Sequence, residues 1–356
     1  MIAFVLVCVP LLDFVYLAVL SRSLRLRRRD ALLRGHRGVA FDVELVLENR
    51  SWLPALGLVL RDVTGAIDAG GNNRLVVSLA PRERRVLTYR ITARERGEFE
   101  LGPSQLILRD FFGLATRRLA SDERCRLIVY PRIDRLPFAP RSGLPQGAIA
   151  SLNPVHEDLT RYRSIRDYVS GDEMKRINWK ASARLGSLAT NEYENTLSVP
   201  LVILLNLCLD DYALKWRYGS AEEAIAVSAS LAVAAAAAGQ AVGLVSSGKL
   251  KESGLPVSMK PGTETVVPLL ETLALIEPVN GAAETYFAKA AVTLPFRSRV
   301  AYVGASPGEH AAALAAAVRG RSGSLRLYLT DLTLDEELRL AALGLEAVPI
   351  EEAGRE

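Results

Sequence analysis

The sequence predicts an α/β protein: an open parallel sheet with helices on both faces, preceded by an antiparallel β-sandwich and a membrane-spanning N-terminal helix. Three observations predict it. The chain opens with the mostly apolar stretch MIAFVLVCVPLLDFVYLAVL and turns at once to arginines, a pattern of the length a helix needs to cross a bilayer. From about residue 37 apolar and polar residues alternate with the period of a half-buried strand. Beyond about residue 197, continuous apolar runs alternate with helix-like segments, the pattern of strands covered on both faces.

Residues 1–21 are expected to be a transmembrane helix. Arg22, Arg25, Arg27, Arg28 and Arg29 follow the apolar run rather than precede it, unlike a secretory signal. They place the bulk of the chain on the cytoplasmic face of the inner membrane. Asp13 is the awkward member, costing roughly 2.5–3.5 kcal/mol at mid-bilayer, and Pro10 marks a kink. Residues 22–36 read as a basic juxtamembrane segment. In AFDVELVLENR, Phe41, Val43, Leu45 and Leu47 share one face, and similar strands recur to give a sandwich over residues 37–137. The Pro- and Gly-bearing stretch 138–160 reads as a linker and 161–196 as a basic signature segment. The α/β domain, residues 197–356, begins at VPLVILLNL and continues through an Ala-rich helix closed by Gly239. Glu222 and Glu223 near its start argue against a second membrane span.

Composition narrows the function. A formal charge of +4 over 356 residues, with 6% aromatic residues, favours no nucleic-acid platform. Cys8, Cys125 and Cys208 form no paired motif, and His36, His156 and His310 are scattered, so local spacing builds no zinc site or disulfide framework. GASPG, residues 304–308, imitates a nucleophile elbow, but Pro307 has no N–H for an oxyanion. SSGKL, around Lys249, lacks the leading glycine of a phosphate-binding loop. The chain offers no catalytic constellation, and a non-enzymatic role is expected, with no cofactor.

The densest cluster of unusual residues is RDYVSGDEMKRINWKASARLG, residues 166–186. Asp172 reads as a helix N-cap, which would put Arg176, Lys180 and Arg184 on one stripe, spaced to repel unless they meet anions. Asp167, Glu192 and Glu194 are the candidates inside the chain; an acidic partner or a phosphate is the candidate outside it. Trp179 lies off the stripe and is expected to pack.

These residues resemble the signature of the bacterial domain-of-unknown-function 58 family, R-x-Y-x-x-G-D-x-x-R-x-I-x-W-K-x-S-A-R. Arg166, Tyr168, Gly171, Asp172, Arg176, Ile177, Trp179, Lys180, Ser182, Ala183 and Arg184 fall on it. The segments RERGEFELGP, DFFGL and VYPR resemble the same family's upstream motifs. The resemblance implies a von Willebrand factor A-like C-terminal domain and a MoxR-type AAA+ ATPase as partner, with no established reaction. Family members usually begin with a pair of membrane helices, and this chain opens within what looks like the second. Such domains often hold a divalent cation through D-x-S-x-S; the matching positions here are Asn206, Cys208 and Asp210, where a thiol replaces a hard oxygen ligand and the site is expected to be lost. The expectation is a membrane-anchored adaptor or assembly factor acting with that ATPase. The alternative is an anion- or phosphate-binding or enzymatic module gripping its ligand with the basic segment.

Overall fold

The computed structural model describes residues 2–350 apart from 66, 68, 111–114, 135–161, 170, 171, 173, 175, 176, 194–198, 252, 282–293 and 322. The expected linker, 138–160, and an expected helix over much of 281–292 lie outside the described residues. A first helix, α1 (Ile2–Ser23), runs straight into β1 (Leu24–Arg28). There follow β2 (Leu32–His36), β3 (Ala40–Asn49), β4 (Ala55–Asp62), β5 (Arg74–Leu79), β6 (Arg84–Thr92), β7 (Gly97–Leu101), β8 (Ser104–Arg109), β9 (Thr116–Ser121) and β10 (Cys125–Tyr130). They form sheets of order β1-β3-β6, β5-β4-β8-β9 and β2-β10-β7. The first two are antiparallel throughout, whereas β10 pairs parallel with β2 and antiparallel with β7. Val43, Leu45 and Leu47 point from β3 into a core shared with Leu58, Leu60, Leu106 and Leu127, as the period-two pattern requires.

Two features of this half differ from the sequence expectation. Residues 24–36, expected as a juxtamembrane flank, are strands of the sheets. Leu24 and Leu26 turn toward the core and Arg25 and Arg27 outward, a short alternation hidden by its arginine content. Arg28 is buried and pairs with Asp62 at 2.5 Å. Asp13, moreover, does not face away from the protein. It shares a buried stripe with Leu17 and Leu20, flanked by the half-buried Tyr16, spaced as one helix face. Leu17 and Leu20 join the sheet core, Tyr16 Oη donates to the Pro54 carbonyl at 2.9 Å, and the Asp13 carboxyl lies beside that of Asp110.

The second half contains β11 (Tyr162–Asp167), α2 (Trp179–Leu185) and β12 (Ala189–Tyr193), then β13 (Leu201–Leu205), α3 (Arg217–Ala237), β14 (Val242–Leu250), β15 (Pro256–Gly262), α4 (Val266–Leu275), β16 (Ile276–Glu277) and β17 (Arg299–Gly304). Helix Ala311–Gly320, β18 (Ser324–Leu329), helix Leu334–Ala342 and β19 (Glu346–Pro349) complete it. Strands β11 and β12 form a two-stranded sheet, with Thr190 of β12 also bridging Ile177, while the main sheet runs β15-β14-β13-β17-β18-β19 with β16 beside β14. The expected all-parallel sheet is in fact mixed. β14, β13, β17, β18 and β19 are parallel, but β15 and β16 run antiparallel to β14. The SSGKL segment lies within β14, so Lys249 sits on a strand rather than a phosphate-binding loop. Helix α3 is 21 residues long and apolar enough to cross a membrane by composition, yet 67% of its most apolar window is buried inside the fold. Ala221, Ala224, Ile225 and Ala232 pack it onto the sheet.

Strand β10 ties the two halves together. Cys125, Leu127 and Val129 lie in the core of the first half, while Ile128 and Tyr130 lie in the core built on α3 and α4. One strand with both faces buried serves as a shared wall. Beside it Arg96 reaches across. Its Nε and Nη2 grip Glu222 at 3.0 and 2.7 Å, and Nη1 donates to the carbonyls of Leu273, Ala274 and Ile276 at 3.0, 3.0 and 2.9 Å. Arg34 meets Glu271 of α4 at 2.9 Å.

Candidate functional site

The signature segment forms a small unit, the β11–β12 pair with α2 between them. Its polar side chains divide into those that hold the unit together and those that face out. Arg166 grips Asp172 with two nitrogens, at 2.8 and 2.7 Å. Asp172 also accepts from the Val169 N–H at 3.1 Å and the Thr190 hydroxyl at 3.4 Å. It therefore closes the turn after β11, and the expected single helix running from residue 172 to Arg184 is broken at Ile177, which bridges Thr190 instead. Helix α2 begins at Trp179, capped by Asn178, whose Oδ1 accepts from the Ala181 N–H at 3.0 Å. Asn178 Nδ2 donates to Asn191 at 2.8 Å, and Ser182 Oγ accepts from the Ala189 N–H at 2.9 Å while donating to the Asn178 carbonyl. These bonds staple α2 to β12. Gly186 ends the helix at φ +72° with its N–H on the Ser182 carbonyl, the left-handed position glycine suits.

The outward set is different. Trp179, expected to pack, is 63% exposed, because the helix starts at its own position and turns it away from β12. Leu185, Met174 and Val169 are exposed with it. Lys180 and Arg184 are exposed on the same short helix, and no ion pair to them occurs among the described residues. Tyr168 is half-buried, its backbone N–H on the Leu188 carbonyl. Gly171 and Arg176 lie outside the described residues, as do the side chains of Glu192 and Glu194. The structure thus brings Arg166, Asp172, Asn178, Ser182 and Thr190 into one bonded group and leaves Trp179, Lys180 and Arg184 facing outward. Asn178 and Thr190 had no role in the sequence reading; Asn178, immediately before Trp179, carried the ordinary signal of a cap.

The fork has a pH signature. The Arg166 guanidinium, helped by the Val169 N–H, holds the Asp172 carboxyl down at about 2. Because the folded value lies below the ordinary carboxylate value near 4, its contribution is complete above about pH 4 and disappears as pH falls toward 2. In an Arg166→Ala chain, an NMR titration is expected to return Asp172 close to the ordinary value. An unmoved titration would show that the fork does not hold it.

At the C-terminal end of β13, where ligands of open α/β sheets bind, the residues do not suit a divalent cation. Asn206 is buried, and its amide is fully used. Nδ2 donates to Asp211 at 2.8 Å and to Tyr302 Oη at 3.2 Å, while Oδ1 accepts from the Cys208 N–H at 2.9 Å and Ser247 Oγ at 3.4 Å. Two donors and two acceptor positions are all an asparagine has. Burial pushes the Cys208 thiol upward, away from the thiolate a metal needs. Asp210 is turned to the Gly281 N–H at 2.7 Å. A Cβ on Gly304 would meet Asn206 at 2.8 Å and Tyr212 Oη at 2.9 Å, so glycine there lets the network close. Among the described residues no group of three His, Cys, Asp or Glu side chains is placed to hold a metal. In GASPG, Ser306 Oγ accepts from the Gly308 N–H at 3.3 Å, a local turn contact.

Fold and site together define a class: antiparallel sheets joined through a shared strand to a mixed-sheet α/β half, with a basic helical signature between them. The chain matches, over residues 164–305, the model of the family described as "Protein of unknown function DUF58". It is 25% identical over 237 residues to "Uncharacterized protein YeaD" of Bacillus subtilis (strain 168), an alignment covering 65% of this chain and 57% of that protein. The chain therefore matches little more than half the length of that relative. Among solved structures, the CARDB domain of a Pyrococcus furiosus protein is 15% identical, covering 30% of this chain and 85% of its own, at a TM-score of 0.20. Alpha-2-macroglobulin of E. coli is 17% identical over 32% of this chain and 7% of its own, at 0.24. Both likenesses are too slight to bear on fold or function.

Proposed function

We propose that the chain is a non-enzymatic adaptor held at the inner membrane by α1, facing the cytoplasm, and that the outer face of α2 docks onto an acidic protein surface, that of a MoxR-type AAA+ ATPase. The observation that carries this reading is the division within the signature. Arg166, Asp172, Asn178 and Ser182 are consumed in building the unit, whereas Trp179, Lys180, Arg184 and Leu185 are held outward on a stapled helix. A rigid face combining an exposed tryptophan with exposed cations has the composition of a protein–protein hot spot. The cations select an acidic partner. With the short off-path strand β16 set aside, the main sheet's order, third-second-first-fourth-fifth-sixth along the chain with an antiparallel edge strand, supports the von Willebrand factor A-like reading of this half. The filled Asn206 network supports a scaffold role for it rather than a metal-dependent one.

The test is capture from gently solubilised membranes followed by binding of the purified ATPase, wild type against Lys180→Glu/Arg184→Glu. Both side chains are exposed, so the variant is expected to keep its fold by circular dichroism. Hot-spot losses of at least about 2 kcal/mol correspond to roughly 30-fold weaker binding. Equal capture by both chains would rule out α2 as the docking face.

A further inference from the structure

Helix α1 is apolar on both of its faces. The inner stripe is accounted for: Asp13, Tyr16, Leu17 and Leu20 close the end of the sheet core. The outward face of the same turns carries Leu11, Leu12, Phe14 and Val15, all at least half exposed. A helix lying on a water-soluble domain presents polar residues there. The loop beside it repeats the feature. Trp52 is 72% exposed, and the loop that carries it is pinned to the helix at two places. Tyr16 Oη donates to the Pro54 carbonyl at 2.9 Å, and the Arg50 N–H donates to the Ser23 carbonyl at 3.1 Å.

We propose that this end of the sandwich is a lipid-interface platform. The outward face of α1 and Trp52 sit together at the boundary of headgroups and acyl chains of a phospholipid bilayer. The inference rests on the membrane-anchor reading and adds a posture to it. Three observations select lipid as the occupant. Ahead of Asp13 the same helix reads IAFVLVCVPLL, without a polar or charged residue other than the thiol of Cys8, so a bilayer that takes up that sequence also reaches Phe14 and Val15. Trp52 is the residue type that gathers at the headgroup level. Arg22, Arg25 and Arg27, at the end of α1 and on the outer face of β1, supply the cations that anionic headgroups attract.

Geometry supplies the posture. Helix α1 ends at Ser23 and β1 starts at Leu24, so no flexible stalk separates helix from sheet. The part of α1 ahead of Asp13 extends about 17 Å at 1.5 Å per residue, roughly half a hydrocarbon core. Burying that part draws the sandwich down onto the headgroups rather than holding it clear of them.

The experiment uses the full chain with Trp179→Phe and Trp216→Phe, which leaves Trp52 as the sole tryptophan of the three. Both replaced residues are exposed. The chain is reconstituted in roughly 3:1 phosphatidylcholine–phosphatidylglycerol vesicles with and without brominated acyl chains. The expected result is a blue-shifted Trp52 emission that loses at least about a third of its intensity to bromines near the headgroups. A second chain, with Trp52→Phe added and Phe14→Trp as the reporter, reads the anchor itself. Quenching of the residue-14 reporter but not of Trp52 overturns the platform and leaves the anchor standing. Quenching of neither overturns both. A blue shift of Trp52 that depends on protein concentration, without quenching, assigns the face to a second copy of the chain and also overturns the proposal.

Discussion

Replacing Arg96 by alanine is expected to uncouple the two halves of the protein. Its side chain is 9% exposed and meets five oxygens on the far side of the interface, two on Glu222 and three backbone carbonyls around the end of α4. Those carbonyls belong to the group that a helix end leaves unsatisfied, and a guanidinium there also meets the negative end of the helix dipole. Truncation strands three carbonyls and a carboxylate at once. Hydrogen bonds to charged groups are worth about 1.5–3 kcal/mol each. Glu222 is partly solvated and keeps Arg37 at 3.9 Å, so a net loss of about 3 kcal/mol is expected rather than the sum. The readout is denaturant unfolding followed separately by Trp52 in the first half and Trp216 in the second. Coincident transitions in the wild type should separate in Arg96→Ala, with Arg96→Lys intermediate because an ammonium cannot serve both sets of acceptors. Coincident transitions at an unchanged midpoint would show that the shared strand β10 suffices alone.

The second large effect is expected inside the first half. Asp62 is fully buried and takes Arg28 Nη2 at 2.5 Å, Ser104 Oγ at 2.7 Å and the Tyr89 hydroxyl. Burial, then the bond to Asp62 and its charge, push the Tyr89 hydroxyl far above its ordinary range, so it stays a donor. Arg28→Ala leaves that carboxylate charged without its cation, and breaking a buried pair costs about 3–5 kcal/mol. The pair itself is not expected to be strongly stabilising, because Arg28 Nη1 is buried with no hydrogen-bond partner among the described residues. The double replacement Arg28→Met/Asp62→Leu should therefore lower the unfolding midpoint less than Arg28→Ala alone. A double variant as unstable as the two single losses combined would refute this account, since neighbouring sites that share an interaction do not add.

How much of this was legible in the sequence depended on how local each signal was. The alternation through Val43, Leu45 and Leu47 and the apolar run of β13 were plain because their periods lie within a few residues. So was the helix Leu334–Ala342, where Thr333 and Glu336 form a capping box. The LRLRR of β1 carried the same alternation, but its arginines pointed to a flank. Asp13 was placed in lipid because the apolar run was read as a length and not as faces; its spacing to Tyr16, Leu17 and Leu20 held the answer. Within the signature, Asn178 was readable as a cap, whereas the Arg166–Asp172 fork spans a turn whose shape no periodicity specifies. Arg96 was one arginine among many, since its partners lie far along the chain. Asn206 looked like a weakened ligand by position, and only its four bonds show it to be occupied.

The contact of Asp13 with Asp110 has a consequence in time. During synthesis Asp13 leaves the ribosome about a hundred residues before Asp110, and at roughly 5–20 residues per second that is an interval of about 5–20 s. Through most of it the nascent helix lacks β8 and β9, the strands it packs against, and its inner and outer faces are nearly equivalent to anything that binds an apolar segment. Factors that sort the growing chain therefore meet a bare hydrophobic helix bearing one carboxyl. The two-faced element of the finished fold comes into being only once the β8–β9 region has followed it out.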